Sequence, residues 1–187
     1  MELVLFTGNR GVGKTLGMSL YATYLSKKTG CTLFSNYGLY GSRIFSSFDD
    51  FSLISKENHS ILCLDECHND IDSRLARSNS SMFFSHFIFY LRKLNCVMFM
   101  TTPLFKNVDS RVRSVVNVVV NVSKDKKFFY YDFYDCNSGK FLVRKCVNKQ
   151  IALLVGAKFF DTKAIVTPLI YPEKRADFVK IFDGLRD

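Results

Sequence analysis

Apolar residues in this chain fall into short unbroken runs separated by polar, glycine-bearing stretches. That spacing predicts buried parallel strands alternating with helices. Residues 2–7, 31–35, 61–64, 96–100 and 115–122 read as strands, the last almost wholly β-branched. Residues 15–26 read as a helix with Leu16, Leu20, Tyr24 and Leu25 inward, ended by Lys27-Lys28-Thr29-Gly30. A loop is expected over 36–42. A short helix carrying Phe51, Leu53 and Ile54 comes next, with Ser47 or Asp49 as its cap. Polar residues 69–81 predict a loop with a broken helix, and 82–94 a strongly apolar helix ended by Arg92-Lys93. Asp109 to Arg113 read as another short helix. Residues 127–134 and 140–144, joined by Asn137-Ser138-Gly139, read as an antiparallel β-hairpin that extends the sheet. Residues 157–172 are expected to fold back over the functional edge, and 174–185 to form a last helix.

These elements predict an α/β fold: a mostly parallel central sheet flanked by helices, plus an antiparallel C-terminal hairpin. One domain over 1–187 is expected, with a core over 1–123 and the hairpin and C-terminal extension over 124–187.

Composition narrows the picture. Of 187 residues, 48% are hydrophobic, enough for a substantial core, and no apolar run approaches the length of a membrane span. The 19 Phe and the absence of Trp carry no functional reading. A net charge of +9 suggests a polyanionic partner. The six cysteines include no C-x-x-C pair; Cys63 and Cys96 fall inside predicted strands, which points to reduced, intracellular usage.

The chemistry concentrates in two places. Gly8-Asn9-Arg10-Gly11-Val12-Gly13-Lys14-Thr15, between a strand and a helix, fits the P-loop pattern G-x-x-x-x-G-K-[ST], or Walker A. Its backbone N–H groups converge on phosphate oxygens, and the helix opening at Thr15 and Leu16 adds its positive end. Lys14 is placed for the β- and γ-phosphates of ATP, and Thr15 for Mg²⁺. The second landmark is Asp65-Glu66 at the end of a buried strand, the Walker B position. Asp65 is placed for the Mg²⁺ shell and Glu66 to polarise an attacking water. Cys63, Cys67 and His68 suggest zinc, but no second ligand cluster stands at usable spacing. Thr101 or Thr102, at the end of the 96–100 strand, is a candidate sensor of the water or γ-phosphate. Arg111 or Arg113 is a candidate arginine finger reaching a neighbouring subunit. Guanine recognition is set aside, because Asn148-Lys149-Gln150 lacks the aspartate of N-K-x-D. The Lys and aromatic residues of the hairpin suit stacking on single-stranded bases as well as core packing.

Gly8 to Thr15, Ser35-Asn36, Leu64-Asp65-Glu66-Cys67-His68, the 92–102 helix–strand and Val108-Asp109-Ser110-Arg111-Val112-Arg113 together resemble the zonular occludens toxin-like ATPases. That family includes filamentous-phage assembly proteins and lies close to the genome-packaging ATPases of tailless, membrane-containing viruses in the FtsK–HerA superfamily. The resemblance spans about residues 1–123. It implies a RecA-like core with an extra strand between the Walker motifs. It also implies a homo-oligomeric ring, hexameric for choice, an arginine supplied in trans, and ATP-driven movement of double-stranded or single-stranded DNA. The packaging branch further implies a capsid or portal vertex partner and a place in the host cytoplasm or virion. Two departures stand out. The phage assembly proteins carry a membrane span after the ATPase domain, and Thr101-Thr102 replace the Gln or Asn of many relatives. The expectation is thus a DNA translocase, with a virion assembly or export ATPase acting on protein as the alternative.

Overall fold

The structure is a computed structural model, and it describes residues 3–67, 79–91, 93–164, 166 and 168–183. Its centre is an eight-stranded sheet built from β1 (Leu3–Thr7), β2 (Thr32–Ser35), β3 (Arg43–Ile44), β4 (Ser60–Leu64), β5 (Cys96–Thr102), β6 (Val118–Lys124), β7 (Phe128–Asp135) and β8 (Phe141–Asn148). The strand order is β3-β2-β4-β5-β1-β6-β7-β8. Every pairing from β3 through β6 is parallel, whereas β6–β7 and β7–β8 are antiparallel. The expected mixed sheet is therefore present, and β5 stands between the strand that feeds the P-loop and the strand that ends at Asp65.

Side chains alternate across the sheet, as strand geometry requires. Leu3, Leu5, Leu62, Leu64, Met98 and Met100 face one core; Val4, Phe6, Ile61, Cys63 and Phe99 face the other. The first core is closed by α2 (Phe51–Ser55), α3 (Asn79–Leu91), α4 (Ser110–Arg113) and α6 (Arg175–Asp183). Much of the phenylalanine content sits here. Phe51 and Phe87 meet edge-on with centroids 4.3 Å apart, Phe45 stacks on Phe87 at 6.2 Å, and Phe178 stacks on Phe83 at 4.6 Å. Burying each such ring contributes about 2 kcal/mol. The second core is closed by α1 (Lys14–Thr29) and by Tyr131 and Phe133 of β7.

Several boundaries differ from the sequence reading. The helix expected over 82–94 begins at Asn79; Arg92 and residues 68–78, and so His68 and the expected loop, lie outside the described residues. The strand expected from 115 begins at Val118, because the chain still turns through hydrogen bonds from Val115 N to Val112 O and from Val116 N to Arg113 O. Ser47 is the cap: its hydroxyl accepts from Asp49 N, and Asp50 completes the box. Tyr24 is not inward but 61% exposed, since Met18 and Ala22 supply the face of α1 that packs into the second core. The sequence reading has no helix where α5 (Lys149–Gly156) forms. Asn148, from the failed N-K-x-D match, is its cap and accepts from Gln150 N and Ile151 N.

The hairpin does more than lengthen the sheet. Tyr131 lies against Gly17 in the second turn of α1, so closely that a Cβ at Gly17 would sit 2.1 Å from the ring. Alanine normally favours a helix over glycine by about 1 kcal/mol. Here Gly17→Ala should instead destabilise the protein by about 1–3 kcal/mol in urea unfolding, through overpacking. In a Tyr131→Ala background the same change should become neutral or stabilising. A stabilised Gly17→Ala single variant would show that Tyr131 does not rest on α1.

Candidate functional site: a P-loop cleft at the carboxyl edge of the sheet

Parallel strands β1, β4 and β5 end side by side, and the residues at and just past their carboxyl ends form the site. After β1 the chain enters the loop with Gly8, Gly11 and Gly13 at φ of 148°, 69° and 94°. Gly13 caps α1 from the left-handed region, and a Cβ there would meet Phe129 of β7 at 2.8 Å. The position is thus reserved for glycine both by its backbone and by the hairpin above it. Lys14 folds back and donates to the carbonyl oxygens of Gly8 (3.0 Å) and Asn9 (3.1 Å). Burial lowers its pKa, although Glu66 and Asp65 pull the other way. The loop is braced from β6 and β7: Lys124 Nζ donates to Gly11 O at 2.7 Å, and Tyr131 Oη donates to Gly13 O at 3.0 Å.

Asp65 comes directly after β4 and is 6% exposed. Thr15 Oγ1 donates to its carboxylate at 2.9 and 3.1 Å, and Thr101 Oγ1 donates at 2.6 Å. Its backbone is held by the Asn36 side chain, which accepts from Asp65 N (2.8 Å) and donates to Asp65 O (3.1 Å). Burial raises the Asp65 pKa, and the hydrogen bonds from Thr101 and Thr15 oppose that only in part. Glu66 takes φ 53°, rare for a residue with a Cβ. Its N–H donates to Thr101 Oγ1 at 2.9 Å. One hydroxyl therefore anchors both the Asp65 carboxylate and the Glu66 backbone, and Glu66 holds a left-handed conformation that costs strain energy.

The sequence-predicted residues divide clearly. Gly11, Gly13, Lys14, Thr15, Leu16, Arg10 and Glu66 line one cleft of about 550 Å³, and Phe129, Phe160 and Thr162 close it. The segment after α5 thus does fold over the P-loop. Asp65 touches Thr15 beneath. Gly8, Asn9 and Val12 border a separate cleft of about 610 Å³ on the β6 side of the loop. Of the two threonines, Thr101 reaches Asp65, whereas Thr102 is buried in register with Thr7 of β1. Arg111 and Arg113 sit on α4 and do not line the P-loop cleft. Arg111 is clasped by Asp109 through two hydrogen bonds of 2.8 and 2.9 Å, which hold the Asp109 pKa down. Arg113 Nε is buried and makes no hydrogen bond among the described residues. Asn36, Lys124, Phe129 and Tyr131 were not singled out as site residues from sequence. The roles of Lys124, Phe129 and Tyr131 come from register between distant strands, for which the chain carries no local signal, whereas Asn36 stood only within the Ser35-Asn36 motif of the family resemblance.

The residues fit a phosphate chain and a hard cation. A glycine-rich loop at the amino end of α1, with Lys14, suits phosphate, and a hydroxyl and carboxylate in contact suit Mg²⁺, which takes few protein oxygens. Among the described residues no cluster of three His, Cys, Asp or Glu side chains is set to hold a metal ion.

Residues 42–154, more than half of the chain, match the model of the family described as zonular occludens toxin (Zot). The chain belongs to the zonular occludens toxin family. No curated protein sequence matches it significantly. Among solved structures, the N-terminal domain of zonular occludens toxin from Neisseria meningitidis is similar with a TM-score of 0.54 at 16% identity, over 97% of this chain and 97% of that one. The genome packaging NTPase B204 from Sulfolobus turreted icosahedral virus 2, in complex with ATP-gammaS, is similar with a TM-score of 0.56 at 11% identity, over 77% of this chain and 97% of that one. Its complex with AMPPCP gives 0.58 at 12% identity over the same shares. At these identities the likeness to a Zot domain and to B204 is one of fold. Among the described residues no helix is long and apolar enough to cross a membrane.

The buried Asp65 yields a pH prediction. Its raised pKa means that the folded chain holds this proton more tightly than the unfolded chain. The ionised carboxylate therefore costs stability above the folded-state pKa, and the cost vanishes below the unfolded value, about pH 4. Asp65→Asn should raise the melting temperature of the ligand-free protein at neutral pH and lose that advantage toward pH 4. A lower melting temperature at neutral pH would show that the hydrogen bonds to the carboxylate outweigh its burial.

Proposed function

We propose that this Zot-family chain is a Mg²⁺-dependent ATPase that couples hydrolysis to movement of DNA, as a viral genome-packaging motor. The observation that carries the reading is the meeting of Lys14, Thr15 and Glu66 on one cleft, with Asp65 held against Thr15 and with Thr101 bonded to the Asp65 carboxylate and the Glu66 backbone. ATP is bound along Gly11 to Leu16, its phosphates in the loop and at the amino end of α1. Lys14 leaves the Gly8 and Asn9 carbonyls to meet β- and γ-phosphate charge. Thr15 and Asp65 hold Mg²⁺, which neutralises phosphate oxygens when bound. Glu66 accepts the proton of the attacking water. Neither arginine of α4 lines this cleft, in keeping with a finger supplied to the neighbouring subunit of a ring. Arg113 is the better candidate, because the Arg111 fork is occupied by Asp109. The net charge of +9 supports double-stranded DNA as the partner, with single-stranded DNA also accommodated. The packaging reading sets the chain beside a capsid or portal vertex, in the host cytoplasm or virion.

A second reading is favoured by one observation. The Zot domain is matched over 97% of this chain, against 77% for the packaging NTPase. On that reading the same ATP chemistry drives virion assembly or export and acts on protein.

Glu66→Gln should bind Mg-ATP with near-normal affinity and lose turnover by about 10²-fold or more, read by equilibrium binding and phosphate release. Mixed with Arg113→Ala subunits, which lack the finger but keep Glu66, it should restore part of the activity. Normal turnover in Glu66→Gln would remove the glutamate from the reaction, and no rescue in any mixture would contradict a finger acting in trans.

A further inference from the structure

The P-loop cleft has a mixed lining. Gly11, Gly13, Lys14 and Thr15, with Arg10 and Glu66, supply its polar wall. Leu16, Phe129, Phe160 and Thr162 line the same cleft and add an apolar wall with one hydroxyl. A phosphate chain makes no use of an apolar wall, which leaves that wall open to another part of the ligand.

The two aromatic walls come from different parts of the chain and are separately braced. Phe129, on β7, is pressed against Gly13, and Lys149 Nζ lies 5.5 Å from its ring centroid. Phe160 belongs to the segment after α5. That segment is stitched to the loop after β2 by hydrogen bonds from Tyr40 N to Phe159 O and from Asp161 N to Gly38 O, both 2.8 Å, around an antiparallel bridge between Leu39 and Phe160. Gly38 permits the approach, since a Cβ there would lie 2.9 Å from Ala164 Cβ. From the core side Tyr37 meets the Phe160 ring edge-on at 6.2 Å. The ring is therefore held at the mouth of the cleft by backbone pairing and by its neighbour, which is what a stacking platform requires.

From this arrangement we infer that Phe160, with Phe129 and Leu16 lining the same cleft, is the binding wall for the nucleotide base, an aromatic heterocycle. The segment 157–164 is thus part of the nucleotide site. The inference rests on the reading of the P-loop as a nucleotide-phosphate site. Its flat apolar faces bind a base by stacking, which does not depend on a base-specific hydrogen-bond pattern. The site accordingly tolerates exchange of one purine for another far better than loss of the base.

The test compares ATP with inorganic tripolyphosphate, which carries the phosphates and no base. Both are titrated by calorimetry, with Mg²⁺, into the full chain and into Phe160→Leu and Phe160→Tyr. Leucine keeps the apolar volume on the Tyr37 side and removes the aromatic face. Phe160→Leu should weaken ATP about ten-fold, equal to about 1.4 kcal/mol, and leave tripolyphosphate within about two-fold. Phe160→Tyr should bind both like the wild type. Equal weakening of the two ligands by Phe160→Leu would overturn the base wall and make the segment a mere support of the loop. Unchanged ATP affinity in Phe160→Leu would overturn it as well. Wild-type chain that binds neither ligand would instead overturn the phosphate site, and this inference with it.

Discussion

Everything at the functional edge hangs on one buried carboxylate. Asp65 gathers the hydroxyl of Thr15 from α1, the hydroxyl of Thr101 from β5 and the amide of Asn36 from the turn after β2. Four elements are thereby tied to one point at the carboxyl edge of the sheet. The arrangement is costly in the ligand-free protein, because burial disfavours the ionised form. A bound cation would relieve that cost. Instability of the empty site and affinity for the loaded one are thus two consequences of the same burial. Thr101 adds a second constraint: its hydroxyl donates to the Asp65 carboxylate and accepts from the Glu66 backbone N–H, so the Asp65 side chain and the Glu66 backbone share one anchor.

The antiparallel hairpin is the feature that makes this site more than a bare P-loop. β7 lays Phe129 on Gly13 and Tyr131 on Gly17, and the Tyr131 hydroxyl holds the Gly13 carbonyl. The first turns of α1 are therefore clamped between the sheet's parallel half and its antiparallel extension. With Lys124 on the Gly11 carbonyl, β6 and β7 both bond directly to the glycine-rich loop.

How much of this was legible in the chain depends on the range of each interaction. The P-loop and Asp65-Glu66 were readable because their spacing is local and the flanking strand and helix patterns are strong. The extra strand between the Walker motifs, the hairpin and the return of the segment after residue 157 over the loop were also anticipated. Three things were not. Helix α5 was hidden because its apolar run is short and its cap, Asn148, lies within a strand pattern. Tyr24 looked inward by periodicity, yet Met18 and Ala22 already fill the stripe beneath α1. Gly17 read as an ordinary helix residue. Its purpose is to admit Tyr131, a partner more than a hundred positions away in the chain, and no local pattern encodes that.

On the proposed function, a polyanion drives ATP hydrolysis in this cleft. The measurement that tests it most directly is ATP hydrolysis by the purified chain, with and without double-stranded DNA, over a series of salt concentrations. The account predicts stimulation by DNA that falls steeply as salt rises, because the stimulating contacts are to phosphates. Hydrolysis that ignores DNA even at low salt would contradict the translocase and leave the protein-moving reading. Absence of hydrolysis under every condition would contradict the chemistry assigned to Lys14 and Glu66.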